Sequence, residues 1–147
     1  MKIMVSACLL GQACKYNGGH NQSQEVLDLL EGQEVLALCP EVLGGLGTPR
    51  LPAEIREGRV FNREGQEVTG AFLQGAKKAL DQARDFQPDW IILKSKSPSC
   101  GLHHVYDGSF SGRLVPGQGV FAQAAQEAGY RVLDTEDLSR LKKDLAK

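Results

Sequence analysis

Three of the four cysteines, Cys8, Cys39 and Cys100, follow short apolar runs and sit near residues that turn the backbone away: Gly11, Pro40 and Pro98. Thiolates are soft ligands that select zinc, cuprous copper or iron–sulfur clusters. The order is Cys8-x5-Cys14, then 24 residues to Cys39 and 60 to Cys100. It contains neither the C-x-x-C knuckle of structural zinc sites nor the run-type ferredoxin spacing. Spacing therefore supports a thiolate site and leaves the metal open. The alternative for each cysteine is burial as a small apolar side chain. Glu41 lies two residues after Cys39 and suits general acid/base work beside a metal, or else caps a helix or loop. Ser97, three residues before Cys100 and followed by Pro98, offers a hydroxyl to the same place or a cap to its own turn. Arg50, Glu54 and Arg56 are read as ion pairs holding a long loop, and His103 and His104 as zinc ligands or plain surface.

The elements that must position these groups alternate. Ile3–Ala7, Glu34–Leu38, Trp90–Leu93 and Arg131–Leu133 read as buried strands. Ser23 caps a helix through Val26, Leu29 and Leu30, and Gly32 stops it. Thr69 opens the clearest helix, with Phe72, Ala76, Ala79, Leu80 and Ala83 at helical spacing. Two more helices carry Phe121, Ala124, Ala125 and Ala128, and Leu138, Leu141 and Leu145. Residues 44–52 read as loop, and Arg59–Phe61 with Gln66–Val68 as a small hairpin. The expected fold is a single-domain α/β, Rossmann-like sandwich over residues 1–147, with a mostly parallel four-stranded sheet, helices on both faces and a hairpin insertion. In such a sheet ligands bind outside the carboxyl ends of the strands, where all three cysteines fall.

Composition sets the frame. With 41% hydrophobic and 24% charged residues, the chain is globular and not disordered. A net charge of −1 gives no electrostatic reason to expect nucleic acid or an acidic membrane as partner. The basic end (Arg140, Lys142, Lys143, Lys147) reads as one solvated helix face. No apolar stretch approaches the ~20 residues that span a bilayer. The expected location is the cytoplasm, where thiols stay reduced and disulfides are disfavoured.

Several blocks together resemble the bacterial 2-thiouracil desulfurase family. They are Ser6-Ala7-Cys8-Leu9-Leu10-Gly11 with Cys14 to Gly19, Cys39 to Leu46, Thr48 to Ile55, Lys94 with Ser97-Pro98-Ser99-Cys100-Gly101, and Tyr106 to Gly112. The resemblance runs from about Met1 to Leu133 and implies a 4Fe-4S cluster on Cys8, Cys39 and Cys100 with one iron open. It implies Glu41 as the catalytic carboxylate, Ser97 as an assisting hydroxyl, and a small thiolated pyrimidine as substrate, in a monomer or homodimer. The implied reaction is hydrolysis of C=S to C=O with release of sulfide. Cys14 is a fourth cysteine, expected near the site without binding. Asn17 stands where the family's Tyr-x-Gly turn carries an acidic residue. Two other readings use the same cysteines: a zinc-thiolate hydrolase, and a non-enzymatic metal- or cluster-binding module. A nucleotide-binding Rossmann domain is disfavoured because no G-x-G-x-x-G follows the first strand.

Overall fold

A computed structural model describes residues 1–146; Lys147, read with the basic end, lies outside the described residues. The chain order is β1 (Lys2–Ser6), a 3-10 turn (Ala7–Leu10), α1 (Gln24–Leu30), β2 (Glu34–Leu38), α2 (Pro40–Leu43), β3 (Ala53–Arg56) and β4 (Arg59–Asn62). It continues with α3 (Thr69–Phe86), β5 (Trp90–Leu93), β6 (His104–Tyr106), β7 (Leu114–Pro116), α4 (Val120–Glu127), β8 (Val132–Asp134) and α5 (Leu138–Leu145). Four strands make one fully parallel sheet in the order β2-β1-β5-β8.

Alternation along the strands divides the core into two layers. Ile3, Val5, Trp90, Ile92 and Leu133 face Val26 and Leu30 of α1 and Leu138 and Leu141 of α5. Met4, Ile91, Leu93 and Val132 face the alanines of α3 and Phe121, Ala122 and Ala125 of α4. Both faces of β1 and β5 are therefore covered, which explains their unbroken apolar sequences. The Ser23 cap forms as the sequence implies, its hydroxyl accepting the Val26 N–H at 3.3 Å. No helix among the described residues is long and apolar enough to cross a membrane.

Two local expectations change. The hairpin pairs Ala53–Arg56 with Arg59–Asn62, one element earlier than the sequence suggests. Its turn is Glu57-Gly58, both with positive φ (52° and 75°), the geometry of a two-residue hairpin turn that favours Asn-Gly or Asp-Gly. Glutamate masks that signal. Residues 66–68 form no strand of their own but fold back on β4, through the Phe61–Glu67 bridge, the Asn62 N–H to Gln66 C=O bond of 2.9 Å and the Val68 N–H to Val60 C=O bond of 2.8 Å. A second small hairpin, β6–β7, occupies the stretch read as turn-rich loop.

Helices α2 and α3 touch backbone to backbone. A Cβ at Gly75 would collide with the Pro40 carbonyl, and one at Gly44 with the Ala71 carbonyl. Neither obstacle is a side chain that can swing aside. Gly75→Ala is expected to lower stability by about 1–3 kcal/mol through forced overpacking. Gly70→Ala, in the same helix but with open space around it, should be neutral or stabilising by about 0.5–1 kcal/mol. Urea denaturation of the two variants tests the contrast.

Candidate active site

One cavity of about 470 Å³ opens at the carboxyl edge of the sheet, lined by Cys8, Cys14, Cys39, Cys100, Glu41 and Ser97 among others. Every site residue singled out on sequence grounds, apart from the two histidines and Arg56, lines it. Three loops deliver the sulfurs. Cys8 lies in the 3-10 turn after β1, which Gly11 closes with a left-handed φ of 96°. The chain then folds back, so that the Asn21 N–H donates to the Cys8 carbonyl at 3.0 Å and the Asn21 side-chain amide to the Cys8 sulfur at 3.5 Å. Cys39 leaves β2 in extended conformation and becomes the N-cap of α2, with Pro40 in the first turn.

Cys100 is the most enclosed of the four, 4% exposed. Its loop is closed by Ser97, whose hydroxyl oxygen accepts the backbone N–H groups of Ser99 and Cys100, both at 3.1 Å. The first turn of α4 then binds this loop. Val120 donates to the Pro98 carbonyl at 2.9 Å, and Phe121 and Ala122 donate to that of Ser99 at 2.9 and 3.0 Å. These carbonyls satisfy N–H groups that a helix start leaves free. The approach requires Gly119, because a Cβ there would lie 2.6 Å from the Cys100 nitrogen.

Glu41 is the fixed carboxylate of the cavity. Arg50 Nε donates to Oε1 at 3.2 Å and the Ser99 hydroxyl donates to Oε2 at 2.9 Å. The pair is largely buried, with side chains 10% (Arg50) and 14% (Glu41) exposed. Arg50 also reaches the Cys14 carbonyl through Nη2 at 2.9 Å and the Gly47 carbonyl through Nη1 at 3.2 Å. One guanidinium thus ties α2 to the loops carrying Cys14 and Arg50 itself. Of the three residues read as loop-holding ion pairs, only Arg50 pairs with a carboxylate. Glu54 accepts backbone N–H groups instead, and Arg56 lies 4.5 Å from the Phe61 ring centroid.

Ser99 was not singled out by sequence reasoning. It is 3% exposed and stands between Glu41, Ser97 Oγ at 3.0 Å and the Cys100 sulfur at 3.5 Å. Its place in Ser97-Pro98-Ser99-Cys100 was the available signal, since the turn that Ser97 caps aims the hydroxyl two residues on. Ser97 therefore works as the turn cap, with its second contact on Ser99 Oγ.

The thiols differ in acidity. Cys8 is lowered to about 7, first by hydrogen bonding from Cys14 and further by Asn21 and the Lys94 charge, against the cost of burial. Cys39 is lowered to about 6, again first by Cys14, then by the Val42 N–H and the Arg50 charge. Cys14 faces both and is raised by those contacts, staying the protonated donor. Burial pushes Cys100 up to about 12, partly offset by the hydroxyls of Ser6 and Ser99.

This donor set fits a polynuclear sulfur-bound centre better than a single ion. Three thiolates about 2.3 Å from one tetrahedral zinc would lie within about 3.8 Å of each other. No three cysteine sulfurs here fall mutually within 4.8 Å; among the described residues only His103, Asp134 and Asp137 do so. A model of the 2-thiouracil desulfurase family matches residues 3–137. The chain belongs to that family. It is 40% identical to an uncharacterized protein of Bacillus subtilis (strain 168), YbbK, over 147 residues, covering 93% of this chain and 97% of that one. It also superposes on the solved structure of TudS, a 4Fe-4S-dependent thiouracil desulfidase, with a TM-score of 0.91 and 40% identity, over 99% of this chain and 97% of that one. The family's α/β fold is thus the one the sequence led us to expect.

The two histidines stand apart from the cavity of this family member. His104 is exposed on β6. His103 Nε2 lies 2.6 Å from Asp137 Oδ2, and Asp134 accepts the Glu136 N–H at 2.8 Å and the Leu102 N–H at 3.4 Å. This trio ties the Cys100 loop to the end of β8 with lone pairs already used by the protein. Asp137 raises the His103 pKa above its ordinary value. The contact therefore adds stability that is complete below about pH 6.5, the unfolded value. It is lost as pH rises through the higher folded value. His103→Gln should destabilise the protein in acid and match the parent at alkaline pH; urea midpoints across a pH series read this directly.

Proposed function

We propose that this chain is a 4Fe-4S-dependent desulfidase that hydrolyses the C=S bond of a small thiolated pyrimidine such as 2-thiouracil. The observation that carries the reading is the meeting of four thiols and one doubly anchored carboxylate in a single cavity at the sheet's carboxyl edge. Family membership and the likeness to the thiouracil desulfidase support it. The reading takes residues 1–147 as one domain working in the cytoplasm on a free small molecule, without nucleic acid or membrane.

Cys8, Cys39 and Cys100 would hold the cluster, one from each of three strand ends, with Cys14 beside it. Bound there, a 4Fe-4S cluster supplies an iron that acts as a Lewis acid with high affinity for sulfur. The protein supplies the rest. Glu41, its two oxygens fixed by Arg50 and Ser99, takes a proton from the attacking water. Ser97 fixes Ser99 in turn and so acts on the carboxylate through its neighbour. The cavity walls bring ring and water together in one orientation. In sum, thiocarbonyl plus water gives carbonyl plus hydrogen sulfide, and no electrons are exchanged.

Reconstitution without oxygen, followed by assay of sulfide release, tests this reading. A brown protein that releases sulfide from 2-thiouracil is expected; a colourless, zinc-loaded one overturns it. Cys8→Ser, Cys39→Ser and Cys100→Ser should each lose both colour and activity. Glu41→Ala should keep the colour while turnover falls by at least about a hundredfold, the scale of general acid–base catalysis. Cys14→Ser should keep both, and a colourless product would make Cys14 a ligand.

A further inference from the structure

Phe110 has a left-handed backbone, φ 58°, a conformation that bulky side chains rarely adopt. Such a conformation persists only where the surroundings impose it, and it concentrates at ligand clamps. Two contacts impose it here. A single oxygen of Glu54, Oε1, accepts the N–H of Gly108 at 3.0 Å and the N–H of Phe110 at 3.1 Å. Gly108, itself at φ 93°, lies so close to β3 that an added Cβ would stand 2.6 Å from Arg56 Cβ. The β6–β7 loop is thereby pinned to the β3–β4 hairpin, elements more than fifty residues apart in sequence. Phe110 is thereby held, half-buried, in the wall of the thiol cavity, which Tyr16 and Tyr106 also line. The Arg63 guanidinium lies 5.9 Å from the ring centroid.

We propose that Phe110 is the stacking wall for the flat heterocycle of the substrate and determines preference for ring thiocarbonyls over acyclic ones, with Glu54 as its positioning residue. The inference rests on the desulfidase reading for the reaction, but ring binding by itself does not need it. A phenyl face offers contact to any conjugated pyrimidine whatever its exocyclic atoms, because every base has a π-face. An acyclic thiocarbonyl such as thiourea has no ring to stack. The hairpin thus contributes to the site through Glu54, a cavity-lining side chain that clamps the backbone of the loop carrying Phe110.

The test uses cluster-loaded protein and two readouts. The first is the ratio of kcat/KM for 2-thiouracil to that for thiourea. Phe110→Ala should lower this ratio by roughly 5- to 150-fold, the range that base–aromatic stacking carries. Phe110→Tyr, which keeps the ring, should restore it. Glu54→Ala should lower the ratio in the same direction, and Glu54→Gln, which keeps Oε1 as acceptor for both N–H groups, should bring it back. The second readout is the equilibrium affinity for uracil by calorimetry, which requires no turnover, and it should weaken in parallel. An equal loss on both substrates in Phe110→Ala, or uracil affinity that is undetectable in the parent or unmoved by the substitution, overturns the proposal. If the parent binds uracil through Phe110 but releases no sulfide from any thiocarbonyl, the desulfidase reading fails and the stacking assignment stands.

Discussion

Everything in the site depends on parallel register. Ser6 pairs with Leu38 across β1 and β2, and Val5 with Ile92 across β1 and β5, so the three strands finish level with one another. The next link runs through a side chain, the Lys94 N–H donating to the Ser6 hydroxyl at 3.1 Å. Residues that follow these strands have no sheet partner and must leave at the same edge. An antiparallel arrangement would have sent alternate strand ends to opposite rims and kept the cysteines apart. Strand order adds the crevice, because the connections from β1 to β2 and on to β5 run to opposite sides of β1.

Within that edge, a few polar contacts convert adjacency into a defined arrangement. Arg50 joins two backbone carbonyls and one carboxylate, and its burial with Glu41 makes loss of either partner costly, since the other would stay charged and unpaired. Beside that pair the start of α4 replaces a side-chain cap with the carbonyls of the Cys100 loop. The two glycine contacts between α2 and α3 fix the depth of the Cys39 turn. The chemistry is thus carried by loops, but each loop is fastened to a regular element within a few residues of its functional side chain.

Much of this was legible in the sequence for a physical reason. Apolar runs buried on both faces, such as Ile3–Val5 and Trp90–Leu93, have one simple structural solution, and the breakers after them mark the sheet's edge. Cys8, Cys39, Cys100 and Glu41 followed from that edge. Long-range polar partners did not. Nothing local announces that Arg50 reaches Cys14, that Ser99 reaches Glu41, or that Glu54 turns from the arginines to two amides of a loop beyond residue 100. Those choices are made by competition among many donors once the chain is compact. The Glu57-Gly58 turn was missed for a narrower reason, an uncommon residue in a left-handed position. The resemblance supplied what spacing could not, namely which metal centre the thiols suit.

The support of the Cys100 loop by Val120, Phe121 and Ala122 has a temporal meaning. Translation runs toward the C-terminus, so Cys8 and Cys39 emerge well before their third companion. The third sulfur reaches its place only after the segment near residue 122 has left the ribosome and docked. Any inorganic centre that needs all three of these thiols is therefore completed late in the protein's biogenesis, after the first three cysteines of the growing chain have been made.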